Sequence, residues 1–229
     1  KFNENRDGLE IIHKEIQNFP FIDLFLHNGE YYAINSNGDI FKKIPNKNMK
    51  FKMYLGNFGT RMNKCIISKE KSLMFRSGFG KIQGIDLHTK ESLFIFEYKK
   101  TTYSMLFQEN DNFLIFSDIN GVISFLDIEA QEIINQIPIY KEKPRLWEDC
   151  FPSIIPLPRN TGKILLVTFN GKLLLLDIYK QTIIFEFQTD FNFVYKMKLG
   201  IDDNSVILGG STKKEDKTST NYIRAWKIN

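Results

Sequence analysis

Short runs of apolar residues, most of them alternating with polar ones, are separated along this chain by turns that contain Gly, Asn and Asp. Residues 111–139, DNFLIFSDINGVISFLDIEAQEIINQIPI, have the clearest pattern. They predict three consecutive strands, NFLIF, GVISFLDI and EIINQIPI, joined by an Asp-x-Asn-Gly turn and a short polar turn. Asn-Gly closes such a hairpin well because both residues accept a positive φ. This stretch therefore predicts most of one antiparallel sheet.

The same unit recurs along the chain. Its turn is marked by four glycines at spacings of 42, 41 and 50 residues: Gly38, Gly80, Gly121 and Gly171. Six residues after three of these glycines comes an Asp that precedes an apolar residue: Asp86, Asp127 and Asp177. Internal similarity at a period of about 40–45 residues is typical of β-propellers, in which each blade is a four-stranded sheet. The chain is therefore predicted to be all-β, a single propeller of four-stranded antiparallel blades.

The repeat resembles the WD40 family of β-propellers, whose outer strands read turn-Asp-Gly-x-[Ile/Val]-x-x-Trp-Asp-hydrophobic. Asp118, Gly121 and the three repeated aspartates match this pattern, and residues 224–228, RAWKI, are the nearest match to its Trp-Asp dipeptide. The family's Gly-His dipeptide is absent from every unit, so its buried hydrogen-bond network is not carried over. The resemblance implies a propeller that presents loops to protein partners.

The two ends of the chain complement each other. The last unit supplies only three strands, FVYKMKLG, SVILGG and NYIRAWKIN, while residues 8–17, GLEIIHKEIQ, resemble the fourth strands of earlier units. Pairing 8–17 with 221–228 would complete the last blade and remove an exposed strand edge. We predict one domain, 1–229, with five blades; a larger ring with missing blades is the alternative. The predicted blade units are 19–57, 61–98, 101–139, 150–188, and 191–229 together with 8–17.

Trp226 lies on the third strand of the closing blade. Together with Ile223 it belongs to a strand that is expected to need apolar contacts on both faces. We therefore predict that Trp226 is buried between blades.

Composition and charge narrow the choice of partner. The 229 residues include 21 Phe and 9 Tyr, which suits strands that are half-buried between sheets. The formal net charge is +4, and the densest basic cluster falls on two predicted outer strands, where a solvated, edge-protecting role is expected: Lys42, Lys43, Lys47, Lys50 and Lys52. No run approaches the roughly 20 apolar residues of a membrane helix. We therefore expect neither a nucleic-acid partner nor a membrane partner.

The two cysteines, Cys65 and Cys150, fall in the second and fourth units. A disulfide between them is not expected because those blades are not neighbours. Two reduced thiols indicate a cytoplasmic or nuclear location.

Candidate catalytic residues are few. The three histidines, His13, His27 and His88, lie in different units without ligand spacing, and no nucleophile elbow, phosphate loop or Cys-x-x-Cys pair is present. We therefore predict a non-catalytic scaffold or subunit of a larger complex, with no metal and no cofactor. The alternative is a carbohydrate-active or carbohydrate-binding propeller, since five-bladed propellers include glycosidases. Asp23 and Asp149 would then supply its two carboxylates.

Two long connections predict where a protein partner binds. Residues 140–152 and 211–221 join strands whose connections leave a propeller on the same face. The first contains Arg145 and Trp147, which are residue types enriched in interface hot spots, beside prolines that limit the entropy lost on docking. We predict a protein-binding surface centred on Arg145, Trp147 and Phe151.

Overall fold

The computed structural model describes residues 2–3, 8–9, 21–46, 50–56, 62–68, 72–78, 80–108, 113–139, 151, 153–157, 162–180, 182–200, 205–213 and 219–227. All the regular secondary structure in these residues is β-strand. Five antiparallel sheets, each following chain order, give a five-bladed β-propeller, which confirms the predicted fold class. Within the described residues there is no helix of the length and apolarity that crossing a membrane requires.

The chain divides into two compact units, and the first is Lys1–Tyr98. Its first sheet contains β3 (Phe21–His27), β4 (Glu30–Asn35), β5 (Ile40–Lys43) and β6 (Phe51–Leu55). Its second sheet contains β7 (Met62–Ile67), β8 (Leu73–Gly78), β9 (Lys81–Asp86) and β10 (Ser92–Glu97). Near the start of the chain, β1 (Phe2–Asn3) pairs with β2 (Gly8–Leu9).

The second unit is Lys99–Asn229. The third sheet contains β11 (Thr102–Gln108), β12 (Phe113–Asp118), β13 (Val122–Asp127) and β14 (Glu132–Pro138). The fourth contains β15 (Ser153–Pro156), β16 (Lys163–Val167), β17 (Lys172–Asp177) and β18 (Thr182–Gln188). The fifth has three described strands, β19 (Phe193–Leu199), β20 (Ser205–Lys213) and β21 (Ser219–Lys227).

Strand β16 illustrates how the core of the second unit is built. Ile164 and Leu166 belong to a cluster shared with the third sheet, whereas Leu165 and Val167 belong to a cluster shared with the fifth. Successive side chains of a strand point to opposite faces, so a strand buried on both sides must be apolar throughout. This is why KILLV shows no alternation with polar residues.

The repeated aspartates cap the turn that follows the third strand of three sheets. Asp127 Oδ1 accepts hydrogen bonds of 2.9 Å from the backbone N–H groups of Glu129 and Ala130. Asp86 and Asp177 do the same with the second and third residues after them, at 2.7–3.1 Å. A short carboxylate that bonds its own backbone two residues on stabilises a tight turn. The sequence repeat thus reflects a local turn requirement.

The predicted closure of the last blade involves residues 8–17, of which the structure describes Gly8 and Leu9. Residues 10–17 lie outside the described residues, and Gly8–Leu9 pairs with Phe2–Asn3. The pairing of 8–17 with 221–228, and with it the single-domain interpretation, stays a prediction.

Candidate functional site

Of the three residues predicted to bind a partner, the structure describes one. Arg145 and Trp147 lie outside the described residues, as does most of each long connection: 140–150 in the first and 214–218 in the second. Phe151 is fully buried, at 0% exposure, in the cluster between the third and fourth sheets. Phe151 is therefore a core residue and does not belong to a binding surface. The predicted protein-binding surface then rests on Arg145 and Trp147.

The backbone of Phe151, which follows the connection 140–150, is hydrogen-bonded to the third sheet. Ser117 Oγ donates a hydrogen bond of 3.0 Å to the carbonyl oxygen of Phe151. At the other end, the Ile139 N–H donates a hydrogen bond of 3.2 Å to the carbonyl oxygen of Gly121. Ile139 and Phe151, which flank the connection, therefore both lie against the turn between β12 and β13.

A buried carboxylate organises this turn. Asp118 Oδ1 accepts hydrogen bonds from the N–H groups of Asn120 (2.8 Å) and Val122 (3.1 Å). Its Oδ2 lies 3.0 Å from Lys100 Nζ, and the lysine side chain is 41% exposed while the Asp118 side chain is fully buried. The lysine compensates the buried charge.

Four aromatic rings form a continuous row at the same edge of the second unit, which we call the aromatic ladder. It consists of Tyr103 on β11, Phe169 in the turn after β16, and Phe193 and Tyr195 on β19. Successive ring centroids are 5.7, 5.2 and 5.0 Å apart. Tyr195 is 55% exposed and the other three rings are half-buried. The ladder therefore links three adjacent sheets and ends in an open ring.

The backbone holds the ladder in place. The Val194 N–H donates a hydrogen bond of 2.6 Å to the carbonyl oxygen of Phe169, so this turn is joined to the start of β19. Gly171, at φ +83°, ends the turn, and a Cβ on it would lie 2.6 Å from the carbonyl oxygen of Phe191. Only glycine fits so close an approach at this φ. Phe169 is thus presented by a turn that has little freedom to move.

Positive charge accompanies the aromatic ladder. Lys196 and Lys198 are exposed on β19, beside Tyr195 in sequence. Asp190, which precedes β19, is paired with Arg224 at 2.5 Å. This edge of β19 therefore combines an exposed aromatic ring with two exposed cations.

Trp226 is less buried than predicted. Its ring is half-buried, packs against the cluster between the fourth and fifth sheets, and makes an edge contact with Phe191 at 6.1 Å. Ile223 on the same strand is 79% exposed, so the expectation of apolar contacts on both faces of β21 is wrong for that residue. Trp226 lines an apolar cavity of 480 Å³ whose walls are Leu165, Leu173, Leu175, Phe185, Val206, Trp226 and Lys227.

The carbohydrate alternative, with Asp23 and Asp149 as its carboxylates, stays a prediction. Asp23 lies on β3, in register with Ile34, and Asp149 lies outside the described residues. In the part of the chain that the structure describes, no group of three or more His, Cys, Asp and Glu side chains is arranged to hold a metal. Cys65 is buried on β7, and Cys150 also lies outside the described residues.

Comparison with known proteins supports the fold of the chain but does not assign it to a family. No family model matches the chain, and no curated protein matches it in sequence. The crystal structure of the computationally designed Ika8 protein is similar with a TM-score of 0.63 at 13% identity, covering 91% of this chain and 58% of that chain. Kuenenia stuttgartiensis hydrazine synthase is similar with a TM-score of 0.75 at 9% identity, covering 97% of this chain and 67% of that chain. At such identities the likeness supports the fold alone, so the chain is a five-bladed β-propeller whose membership of the WD40 family stays a prediction.

Proposed function

We propose that this chain is a non-catalytic interaction propeller that docks a protein partner on the edge carrying the aromatic ladder. The observation that carries the proposal is the ladder itself, with the 55% exposed ring of Tyr195 at its end. Aromatic side chains are enriched at protein interfaces, where they act as anchors. Ile139 and Phe151, which flank the stretch containing Arg145 and Trp147, lie at this same edge of the unit.

Rigidity favours the ladder as a binding surface. Each ring contacts the next, and the turn that presents Phe169 is hydrogen-bonded to β19. Docking onto side chains that are already ordered costs little additional conformational entropy. A partner therefore gains most of the free energy of burying these rings.

The charges beside the ladder indicate the chemistry of the partner. Lys196 and Lys198 are exposed next to Tyr195 on β19. We propose that the partner offers a segment with acidic residues around an apolar anchor. Complementary charges of this kind raise the association rate and make it depend on salt concentration.

The experiment compares quantitative affinity capture by the wild-type chain with capture by two tyrosine variants. Tyr195→Ala removes the exposed end of the ladder, while Tyr179→Ala removes another exposed tyrosine, 65% exposed, in the turn after β17. A partner that uses the ladder should be lost from Tyr195→Ala and retained by Tyr179→Ala. With that partner purified, Tyr195→Ala should weaken the Kd about tenfold or more.

The outcome that overturns the proposal is equal capture of the same proteins by all three chains. A thermal unfolding midpoint shared by the three chains excludes misfolding as the cause of any loss. Replacement of Lys196 and Lys198 by Gln should slow association and reduce its dependence on salt, whereas an unchanged salt dependence would contradict an acidic partner.

A further inference from the structure

A small polar pocket lies in the first unit, between the β3–β4 hairpin of the first sheet and the turn after β9 in the second. Its volume is 210 Å³, and its walls are His27, Asn28, Glu30, Tyr32, Lys42, Tyr54, Leu87 and His88. Most of these residues carry a hydrogen-bonding group at the end of a side chain. The pocket therefore resembles a site for a small polar molecule more than a packing defect.

An ion pair stands in the wall of this pocket. Lys42 Nζ lies 2.6 Å from Glu30 Oε2, and the two side chains are 31% and 41% exposed. Tyr32 Oη donates a second hydrogen bond, of 3.3 Å, to the same Oε2. The hydrogen bond from Lys42 lowers the pKa of Glu30, so the carboxylate is ionised at neutral pH. Among the described residues Glu30 Oε1 receives no hydrogen bond, so an acceptor is left for an occupant.

The ammonium group of Lys42 is held in position. It lies 5.7 Å from the ring centroids of both Tyr32 and Tyr54. The two rings contact each other edge to face at 5.5 Å, and Tyr54 Oη donates a hydrogen bond to the carbonyl oxygen of Leu87. A cation over two aromatic faces is attracted to both, so Lys42 presents its remaining N–H donors from a defined position.

The lining carries little net charge at neutral pH. His27 is buried, and burial, with a smaller contribution from His88, lowers its pKa and favours the neutral imidazole. Its Nε2 has no hydrogen-bond partner among the described residues. The charges of Glu30 and Lys42 cancel each other. A charge-balanced lining favours a neutral occupant over an anion or a cation.

We propose that this pocket binds a small neutral molecule with adjacent hydroxyl groups, such as one sugar ring. Glu30 Oε1 would accept a hydrogen bond from one hydroxyl group, and Lys42 Nζ would donate to the oxygen of the next. Both bonds involve a charged partner, which makes them stronger than bonds between neutral groups. The pocket lies in the first unit and the aromatic ladder in the second, so this proposal is independent of the proposed function.

The test measures binding of single sugars to the complete chain by saturation-transfer NMR. The probes are glucose, galactose, mannose and N-acetylglucosamine, with inorganic phosphate as the anionic comparison. We expect at least one sugar to bind the wild type and Glu30→Gln to weaken its Kd about tenfold. Glu129→Gln, which changes an exposed glutamate in the turn after β13, is the matched control and should leave the Kd unchanged.

A second variant tests the pocket without touching the ion pair. His88 is exposed, so His88→Trp should preserve the fold while its larger side chain fills the pocket and abolishes sugar binding. The proposal is overturned if none of the four sugars binds the wild type, if binding survives both Glu30→Gln and His88→Trp, or if phosphate displaces the sugar from the site.

Discussion

Arg76 Nη1 donates a hydrogen bond of 2.7 Å to the carbonyl oxygen of Gly38 and so joins the second sheet to the β4–β5 turn of the first. Its Nε donates a second hydrogen bond, of 2.8 Å, to Gln83 Oε1. Only 2% of Arg76 is exposed, and burial lowers the pKa of its guanidinium to about 10, so it remains charged at neutral pH. A buried cation has to keep such partners, because the free energy of unfolding falls sharply when a buried charged group is left without them.

Removal of this arginine should be costly. Arg76→Met loses the hydrogen bond to Gly38 and leaves that buried carbonyl oxygen without its charged donor, so the free energy of unfolding should fall by about 2–4 kcal/mol. Urea unfolding measures the change. Arg224→Met, at a surface ion pair with Asp190, is the matched control and should cost about 1 kcal/mol or less. Equal effects of the two substitutions would show that Arg76 does not join the sheets.

The stability of the fold should depend on pH through His27. Burial lowers the pKa of His27 in the folded state, whereas the unfolded imidazole keeps the ordinary value of about 6.5. The unfolded state then binds more protons, so the free energy of unfolding decreases as the pH falls through about 6.5 and is greatest above that value. Glu30 and Lys42 keep their charges in this range because their hydrogen bond lowers the pKa of Glu30 and raises the pKa of Lys42.

The check is urea unfolding of wild type and His27→Gln between about pH 7.5 and about pH 5.5. The variant should lose less stability over this range than the wild type. His88→Gln serves as the comparison at an exposed histidine and should keep most of the dependence. A pH dependence that is the same in wild type and His27→Gln would assign it to other groups.

Substitution of two glycines by alanine should distinguish the cost of backbone strain from the cost of a steric clash. Gly80 (φ +86°) and Gly171 (φ +83°) have nearly the same φ, yet a Cβ on Gly80 meets nothing within 4 Å while one on Gly171 meets Thr189 Oγ1 at 2.5 Å. Gly80→Ala should therefore cost about 1 kcal/mol, from φ alone. Gly171→Ala should cost about 3 kcal/mol or more, because the turn must also move. Thermal unfolding of both variants measures the difference, and equal midpoints would contradict the close approach.

If the N-terminal strand closes the fifth sheet, deleting it should destabilise the fold. If residues 8–17 pair with 221–228, their deletion along with residues 1–7 should lower the thermal unfolding midpoint sharply, because the edge of β21 is exposed again. The same deletion should shift the fluorescence of Trp226, which lines the apolar cavity at that edge. Trp147→Phe, introduced in both chains, leaves Trp226 as the single tryptophan. A deletion that changes neither quantity would exclude the closure.

Local patterns predicted the sheets, but the sites depend on contacts between residues far apart in sequence. The repeated aspartates were recognisable because each one bonds its own turn, two and three residues on. Nothing in the sequence places Tyr103 beside Phe169, since the contact arises from the packing of one sheet on the next. His27 and His88 were interpreted as unrelated because they belong to different predicted blades, yet the fold places both in one pocket.

The basic cluster at residues 42–52 shows the limit of a local interpretation. Lys42 was expected to be solvated, and its side chain is indeed partly exposed. Its contacts with Glu30, Tyr32 and Tyr54 come from the two strands that flank β5 in the same sheet, and they follow from register rather than from spacing along the chain. A pattern of hydrophobic and polar positions predicts which face a residue occupies, but not which side chains lie opposite it.

The order of strands in these sheets has a consequence for biosynthesis. Each of the four-stranded sheets pairs every strand with its neighbour in the chain, and none of them requires a strand from later in the sequence. Pairing of this kind involves short loops, so it has a low contact order and forms quickly. A ribosome that releases the chain from the N-terminus would thus let each of these sheets form as soon as its last strand emerges, before the sheet that packs against it has been made.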